Sequence, residues 1–228
     1  MPSLATGAAT AASPRSSIGS STAPGGKLAE ALVAALHHDP FLAHIVESTV
    51  ARSTAGTNTV TITAKASGDV SGKDVSLHVS GTGAGPAVDQ DLVSIGGTTW
   101  IRRGSATTWE VHPRASAASA IDGLLSTIRL LDDPNQLVDT GAELVDGQAL
   151  HHLTAVGFIA YRSPDGAAGS YDNFDVWVTD AGIPVIAKAS FSASQGTNAI
   201  VGNTDIRYSG VGGPIAIVPP VGAPTLKP

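Results

Sequence analysis

The sequence contains no cysteine. That excludes disulfides, thiolate metal sites and cysteine nucleophiles. It also excludes the lipid-attachment cysteine that a bacterial lipoprotein carries. Charge is scarce: charged residues make up 14 % of the 228, and the formal net charge is −6. Lys and Arg are scattered, with no basic cluster beyond Arg102-Arg103. Nothing electrostatic therefore recommends a nucleic acid or an anionic membrane surface as a partner. No apolar run reaches the roughly 18–20 residues of a membrane-spanning helix. No charged segment followed by an apolar one opens the chain, so no signal peptide is read in it. Aromatic residues are only 4 %, which leaves Val, Ile, Leu and Ala to do most of the packing. Small aliphatic side chains fill the space over a large sheet poorly, which suits a domain built around a cavity.

What is abundant is Gly and Pro, 26 and 14 residues, against an apolar content of 42 %. The composition is that of a turn-rich globular chain rather than a coiled coil. Residues 1–26, rich in Ala, Ser, Thr, Gly and Pro, cannot bury enough apolar surface to offset their ordering entropy, and a flexible tether is expected there. Residues 27–220 are expected to form one domain and 221–228 a tail.

The most informative stretch runs from Asp91 to Pro113. Gly96-Gly97 and Gly104–Ala106 break it into three short alternating runs, a strong hairpin signal. The apolar period then turns helical at Ile121, Leu124, Leu125, Ile128 and Leu131, closing at Asp132-Asp133-Pro134. An earlier helix is expected over Lys27–Leu36, with Leu28, Ala31, Leu32, Ala35 and Leu36 on one face. His37-His38-Asp39-Pro40 ends it. Extended structure is expected over Phe41–Ser53. Alternation then marks strands at Val60–Ala66, Val75–Val79 and Val88–Ile95. Others follow at Ala149–Ile159, Phe174–Val178, Pro184–Ser192 and Ala199–Tyr208, and Leu137–Leu144 is read as a short connector.

These elements predict an α+β fold. About nine to eleven antiparallel strands, joined by tight turns, form a curved sheet or half-barrel, closed by two or more helices over an apolar cavity. Alternation and helical period nominate Ile62, Leu77, Val79, Val93, Ile95, Ile101, Val111, Val156, Val176 and Val178 as cavity wall. Ile121, Leu124, Leu125 and Ile128 would face them from the second helix. The helix Ala120–Leu131 and the loop Ser163–Ser170 are the expected moving parts.

Catalytic signatures are weak. No G-x-S-x-G elbow is present. Gly81–Pro86 resembles a dinucleotide loop only superficially, because it lacks the final Gly and opens no helix. The histidine pairs His37-His38 and His151-His152 lack H-x-x-x-H spacing, and neighbours on a strand point to opposite faces. They are read as ordinary surface or strand histidines. Asp132-Asp133 is read as a helix-terminating loop, and Trp100 and Trp109 as cross-strand packing. No cofactor, metal or catalytic residue is assigned.

The order of Gly-Gly-x-x-Trp-Ile-Arg, Thr-Trp-Glu-Val, Asp-Asp-Pro, Val-Asp-Gly-Gln-x-x-His-His-Leu, Phe-Asp-Val-Trp-Val-Thr-x-x-Gly-x-Pro and the terminal Tyr-Ser-Gly-x-Gly-Gly-Pro-Ile resembles the LolA-like lipoprotein carriers. Within that group it is most similar to the actinobacterial LppX/LprG-type lipoproteins, over residues 27–220. The resemblance implies a half-barrel that holds the acyl chains of lipids or lipoglycans outside the cytoplasmic membrane. It implies a monomeric, non-enzymatic carrier of the cell envelope, with the membrane surface or an envelope transporter as a further partner. The chain departs from such lipoproteins in having neither signal peptide nor lipidated Cys, and its Ala/Ser/Gly-rich start looks like the spacer of a trimmed mature form. The alternative is a ligand-free structural or sensory envelope module of the same fold.

Overall fold

The computed structural model describes residues 26–83, 85–113, 131–157, 159–162 and 168–225. One helix, α1 (Gly26–Leu36), precedes twelve strands: β1 (Leu42–Ala55), β2 (Asn58–Ser71), β3 (Asp74–Thr82), β4 (Val88–Ile95), β5 (Thr98–Arg103), β6 (Glu110–Pro113), β7 (Leu137–Val145), β8 (Gln148–Ala155), β9 (Ile159–Arg162), β10 (Ala168–Val178), β11 (Pro184–Gln195) and β12 (Asn198–Ser209). A 3-10 turn, Pro134–Gln136, leads into β7, capped by Asp133, whose Oδ1 accepts from the Asn135 amide at 2.9 Å.

All strand pairs are antiparallel and belong to one sheet, in the order β6-β5-β4-β3-β2-β1-β12-β11-β10-β8-β7, with β9 pairing β10 off that path. The sheet is open, with β6 and β7 as its outermost strands. β1 lies at the centre and pairs along its length with both β2 and β12. At 14 residues each, β1 and β2 are longer than the sequence pattern suggests. Gly68 does not end β2, and the turn falls instead at Gly72-Lys73. The connector expected over Leu137–Leu144 is a strand. It is joined to β8 by Asp146-Gly147, both at positive φ (51° and 82°), as a two-residue hairpin with matching twist requires. The long strand expected over Ala149–Ile159 breaks after Ala155, and β9 begins at Ile159.

Sheet curvature has a local cause. Gly68 sits at φ +145°, and a Cβ placed there would lie 2.0 Å from the Ser76 carbonyl oxygen of β3. At Gly81 a Cβ would lie 2.5 Å from the Thr63 carbonyl oxygen, and at Gly202 2.7 Å from that of Val50. Neighbouring backbones meet at these three positions more closely than any side chain permits. Glycine inside a strand allows such an approach and lets the sheet coil.

Alternation along the strands divides the sheet into two faces. The concave face carries the main core, which includes Phe41, Ala43 and Ile45 of the first strand region, Val70, Val75, Leu77, Leu92, Ile101, Leu137, Leu153, Phe174, Val176, Val178, Ile206 and Tyr208. α1 packs into this core through Ala29, Leu32 and Leu36, all nearly inaccessible. It also rests on the β10–β11 turn, where a Cβ at Gly182 would lie 2.5 Å from the Ala31 Cβ. The helix C-terminus is tied down by His37, whose Nε2 lies 3.0 Å from the Leu131 carbonyl oxygen. The second helix expected from Ile121, Leu124, Leu125 and Ile128 lies outside the described residues.

The opposite, convex face is partly covered by the C-terminal segment. Trp100 Nε1 donates to the Pro224 carbonyl at 2.8 Å, and Val218–Val221 line a groove with Val93, Arg102 and Trp109.

Replacing Gly68 by Ala is expected to destabilise the protein by about 2–4 kcal/mol, through strained φ and the clash with Ser76. Gly97→Ala, at a turn position with open space around it, is expected to stay within about 0.5 kcal/mol of the parent. Denaturant unfolding of the two variants measures the difference.

Candidate functional site: the concave face of the sheet

The register assigns the concave face row by row. One row runs Ile101–Leu92–Leu77–Gly68–Ile45–Tyr208, and the next Val79–Ala66–Glu47–Ile206–Ala187–Val176–Leu153. The third runs Gly81–Ala64–Thr49–Thr204–Ala189, and a fourth Ile62–Ala51–Gly202–Phe191–Tyr171. The first two rows are largely made of big aliphatic side chains and merge into the core under α1. The third has Ala64 and Ala189 on either side of the Thr49–Thr204 pair, and the middle of the fourth is Ala51 and Gly202. Ile62, Ala64, Ala66 and Val79 remain partly accessible. A concave floor of small apolar side chains that stay partly exposed is a receptive surface for an apolar ligand.

The predicted wall residues divide accordingly. Leu77 and Ile101, at 5 and 9 % exposure, and Val176 and Val178, at 1 and 0 %, lie on the concave face within the packed core. Ile62 and Val79 lie on the same face and are only half-buried. Val93, Ile95 and Val111 are corrections. Val93 pairs with Trp100, Trp100 with Val111, and Ile95 with Thr98, one residue out of step with Leu92 and Ile101. In a strand that offset reverses the face, so all three look outward. Their apolar character is explained for Val93 and Trp100 by the C-terminal segment on that side. Val156 is also a correction: it follows the end of β8 and is 64 % exposed. Ile121, Leu124, Leu125 and Ile128 lie outside the described residues, as do 163–167 of the loop expected to move.

Residues that pattern-reading missed occupy the centre of the same face. Glu47 follows Ala43 and Ile45 in strict alternation, so a carboxylate projects from β1 between Ala66 and Ile206. Its Oε1 accepts from Thr49 Oγ1 at 3.0 Å and from Thr204 Oγ1 at 3.2 Å, and the two hydroxyl oxygens are 3.1 Å apart. Burial pushes the Glu47 carboxyl above its ordinary value, and the threonine hydrogen bonds oppose that only in part. Burial likewise pushes the Tyr208 phenol up, with the nearby Glu47 charge adding to it. The signal was available in the alternation Ala43, Ile45, Glu47, Thr49, Ala51, had that stretch been read as one long strand.

The histidines are spoken for individually. His44 pairs with Asp69 at 2.9 Å, and His78 with Asp89 and Asp91 at 3.4 and 3.0 Å. On the convex face His152 lies between Asp175 (2.9 Å) and Glu143 (3.0 Å), stacked 4.5 Å from the Trp177 ring. His151, on the concave side of the same strand, lies 3.2 Å from Asp180. The expectation that adjacent strand histidines diverge holds for this pair. No group of three or more potential metal ligands occurs among the described residues. Trp109 takes the Arg102 guanidinium over its ring at 4.9 Å. The same guanidinium, with His78, holds the Asp91 carboxyl below the usual carboxylate range.

The fold is an open, curved antiparallel half-barrel with a helix packed into its concave side and an apolar, small-residue floor. Among solved structures it is similar to LprF from Mycobacterium bovis, with a TM-score of 0.51 at 16 % identity, over 86 % of this chain and 96 % of that one. Looser matches include lipovitellin (TM-score 0.37, 11 % identity, 82 % of this chain and 27 % of that one). A LolA superfamily protein from Nitrosomonas europaea also matches (TM-score 0.28, 9 % identity, 79 % and 91 %). No family model matches the sequence, and no curated protein does.

The Glu47 shift has a definite sign. Its folded pKa is raised above the unfolded value near 4.5, so the folded state holds this proton more tightly. Ionisation of Glu47 therefore works against folding above that pH, and its effect vanishes below it. Glu47→Gln is expected to raise the thermal midpoint at about pH 7, with a smaller gain at about pH 4. Melting curves of parent and variant at both pH values measure this.

Proposed function

We propose that the protein binds lipids by their acyl chains on the concave face of its sheet, as a non-enzymatic carrier of the cell envelope. The observation that carries this reading is the floor formed by Ile62, Ala64, Ala66 and Val79. These residues are apolar and continuous with the core, yet still partly accessible at the centre of a coiled sheet. Protein interiors are packed to crystal density. A run of alanines and glycines at the bottom of a curved sheet therefore leaves volume that larger side chains would have occupied. A hydrocarbon tail gains about 0.8 kcal/mol for each methylene removed from water, so a short length of chain lodged there is enough for useful affinity.

The LprF-type fold and the motif order shared with LolA-like lipoprotein carriers support the same reading. In this account the sheet shields the acyl chains from water and releases them to a membrane or a receiving protein. Ile62, Leu77, Val79, Ile101, Val176 and Val178 form the concave side of the site. The domain acts as a monomer on lipids or lipoglycans outside the cytoplasmic membrane. No helix among the described residues is long and apolar enough to cross a membrane.

Protein purified under non-denaturing conditions is expected to carry lipid in native mass spectrometry, and the delipidated protein to take up a fluorescent fatty acid. Ala66→Trp, which places an indole on the floor, is expected to weaken that uptake at least about ten-fold, equivalent to losing two methylenes' worth of burial. Absence of uptake by the delipidated parent would overturn the reading.

A further inference from the structure

The Glu47–Thr49–Thr204 cluster is polar, yet it sits at the centre of the apolar face. A partly buried carboxylate costs stability unless its hydrogen bonds are met. Both threonine hydroxyls donate to the same oxygen, Oε1. Among the described residues Oε2 has no hydrogen-bond partner, and it is not among the buried atoms left without one. It therefore remains accessible from the concave side, as a free acceptor in an otherwise apolar surface.

The charge around it is equally one-sided. On β1, β2, β11 and β12 the register sends Arg52, Lys65, Lys188 and Arg207 to the opposite face. Glu47 is the single charged side chain that these four strands place on the concave face. Apart from the buried Tyr208 phenol, the other ionisable groups that the strands place on that face among the described residues stand on flanking strands. Arg103 is held by Glu110, with His112 beside that carboxylate at 3.4 Å. Asp139 lies 3.6 Å from His151, which also meets Asp180. Among the described residues no unpaired cation faces the cluster.

Resting on the lipid-binding reading above, we propose that this cluster is the polar subsite of the concave face, and that it selects lipids whose polar end is an uncharged hydroxyl, such as a partially acylated polyol. The ligand hydroxyl donates to Glu47 Oε2, while the threonine hydroxyls hold Oε1 and fix the carboxylate plane. A phosphate or carboxylate at the same position meets a like charge with no cation to offset it. A fully esterified polyol brings no donor.

The test compares binding of 1,2-dioleoylglycerol, its 3-acetyl ester and dioleoyl phosphatidic acid by displacement of a fluorescent fatty acid from the delipidated protein. The parent is expected to bind the free hydroxyl about ten-fold more tightly than the acetyl ester, the discrimination expected of one hydrogen bond to a charged group, and to disfavour phosphatidic acid further. Free glycerol is expected to displace nothing, which separates a lipid hydroxyl from a soluble polyol. Glu47→Leu is expected to bring the hydroxyl-to-acetyl ratio close to one. The isosteric Glu47→Gln, which keeps the shape of the cluster, is expected to raise the phosphatidic acid-to-diacylglycerol ratio several-fold. Equal binding of the hydroxyl and acetyl lipids by the parent, a preference for phosphatidic acid or for an ammonium-bearing phospholipid, or ratios unmoved by Glu47→Gln would overturn the subsite and leave acyl-chain binding standing. Failure of the parent to take up either the fluorescent fatty acid or the diacylglycerol would overturn both.

Discussion

Coiling of the sheet is the constraint on which the rest depends. A flat array of twelve strands would present a broad apolar face that α1 alone could not cover. Here the strands bend around α1 because backbone is allowed to approach backbone at Gly68, Gly81 and Gly202. Those contacts bring the floor and its flanks toward each other, so that Leu32 and Leu36 of the helix meet Ile45, Val178 and Tyr208 within one core. Two of these contacts also bear on the chemistry of the face, since Gly202 is paired with Ala51 and Gly81 with Ala64, small residues of the floor. Curvature and a small-residue floor are thus two results of one packing requirement.

The polarity of the two faces then follows from strand register. On β1 alternation directs Ala43, Ile45, Glu47, Thr49 and Ala51 inward and Arg52 outward, and β2 sends Lys65 outward in the same manner. On the outer side the charged groups pair in water: Lys188 with Asp205 at 3.6 Å and Arg102 with Asp91 at 2.6 Å. Such exposed pairs add little stability individually, but they keep cations away from the inner face. Glu47 is the exception, and its environment explains why its carboxyl is pushed upward while the outer Asp91 is pulled down.

Much of this architecture was legible in the residues. The alternation of β2, β3, β10, β11 and β12, the hairpin glycines at 96–97 and the amphipathic α1 each specify their element locally. What was not legible is which face each strand turns to the core. Val93 and Ile95 look like wall residues because they are β-branched and stand on either side of polar Ser94. Yet Leu92, adjacent to them, is the one paired with Leu77 and Ile101. In the run Leu92-Val93 both faces are apolar, since each is covered, one by the core and one by the C-terminal segment. No local period can then choose between them. Glu47 was missed for a related reason: a carboxylate within a mixed stretch suggests solvent, and only the pairing of β1 on both sides places it inside.

An unclosed sheet leaves two rims, and a rim is an invitation to edge-on polymerisation. β6 is four residues long and ends in a proline, and β7 changes register between Asp139 and Gly141. Neither offers a long straight ladder to a neighbouring molecule. A sheet that stays ajar would otherwise be liable to stack into fibrils, and these two irregular borders work against that.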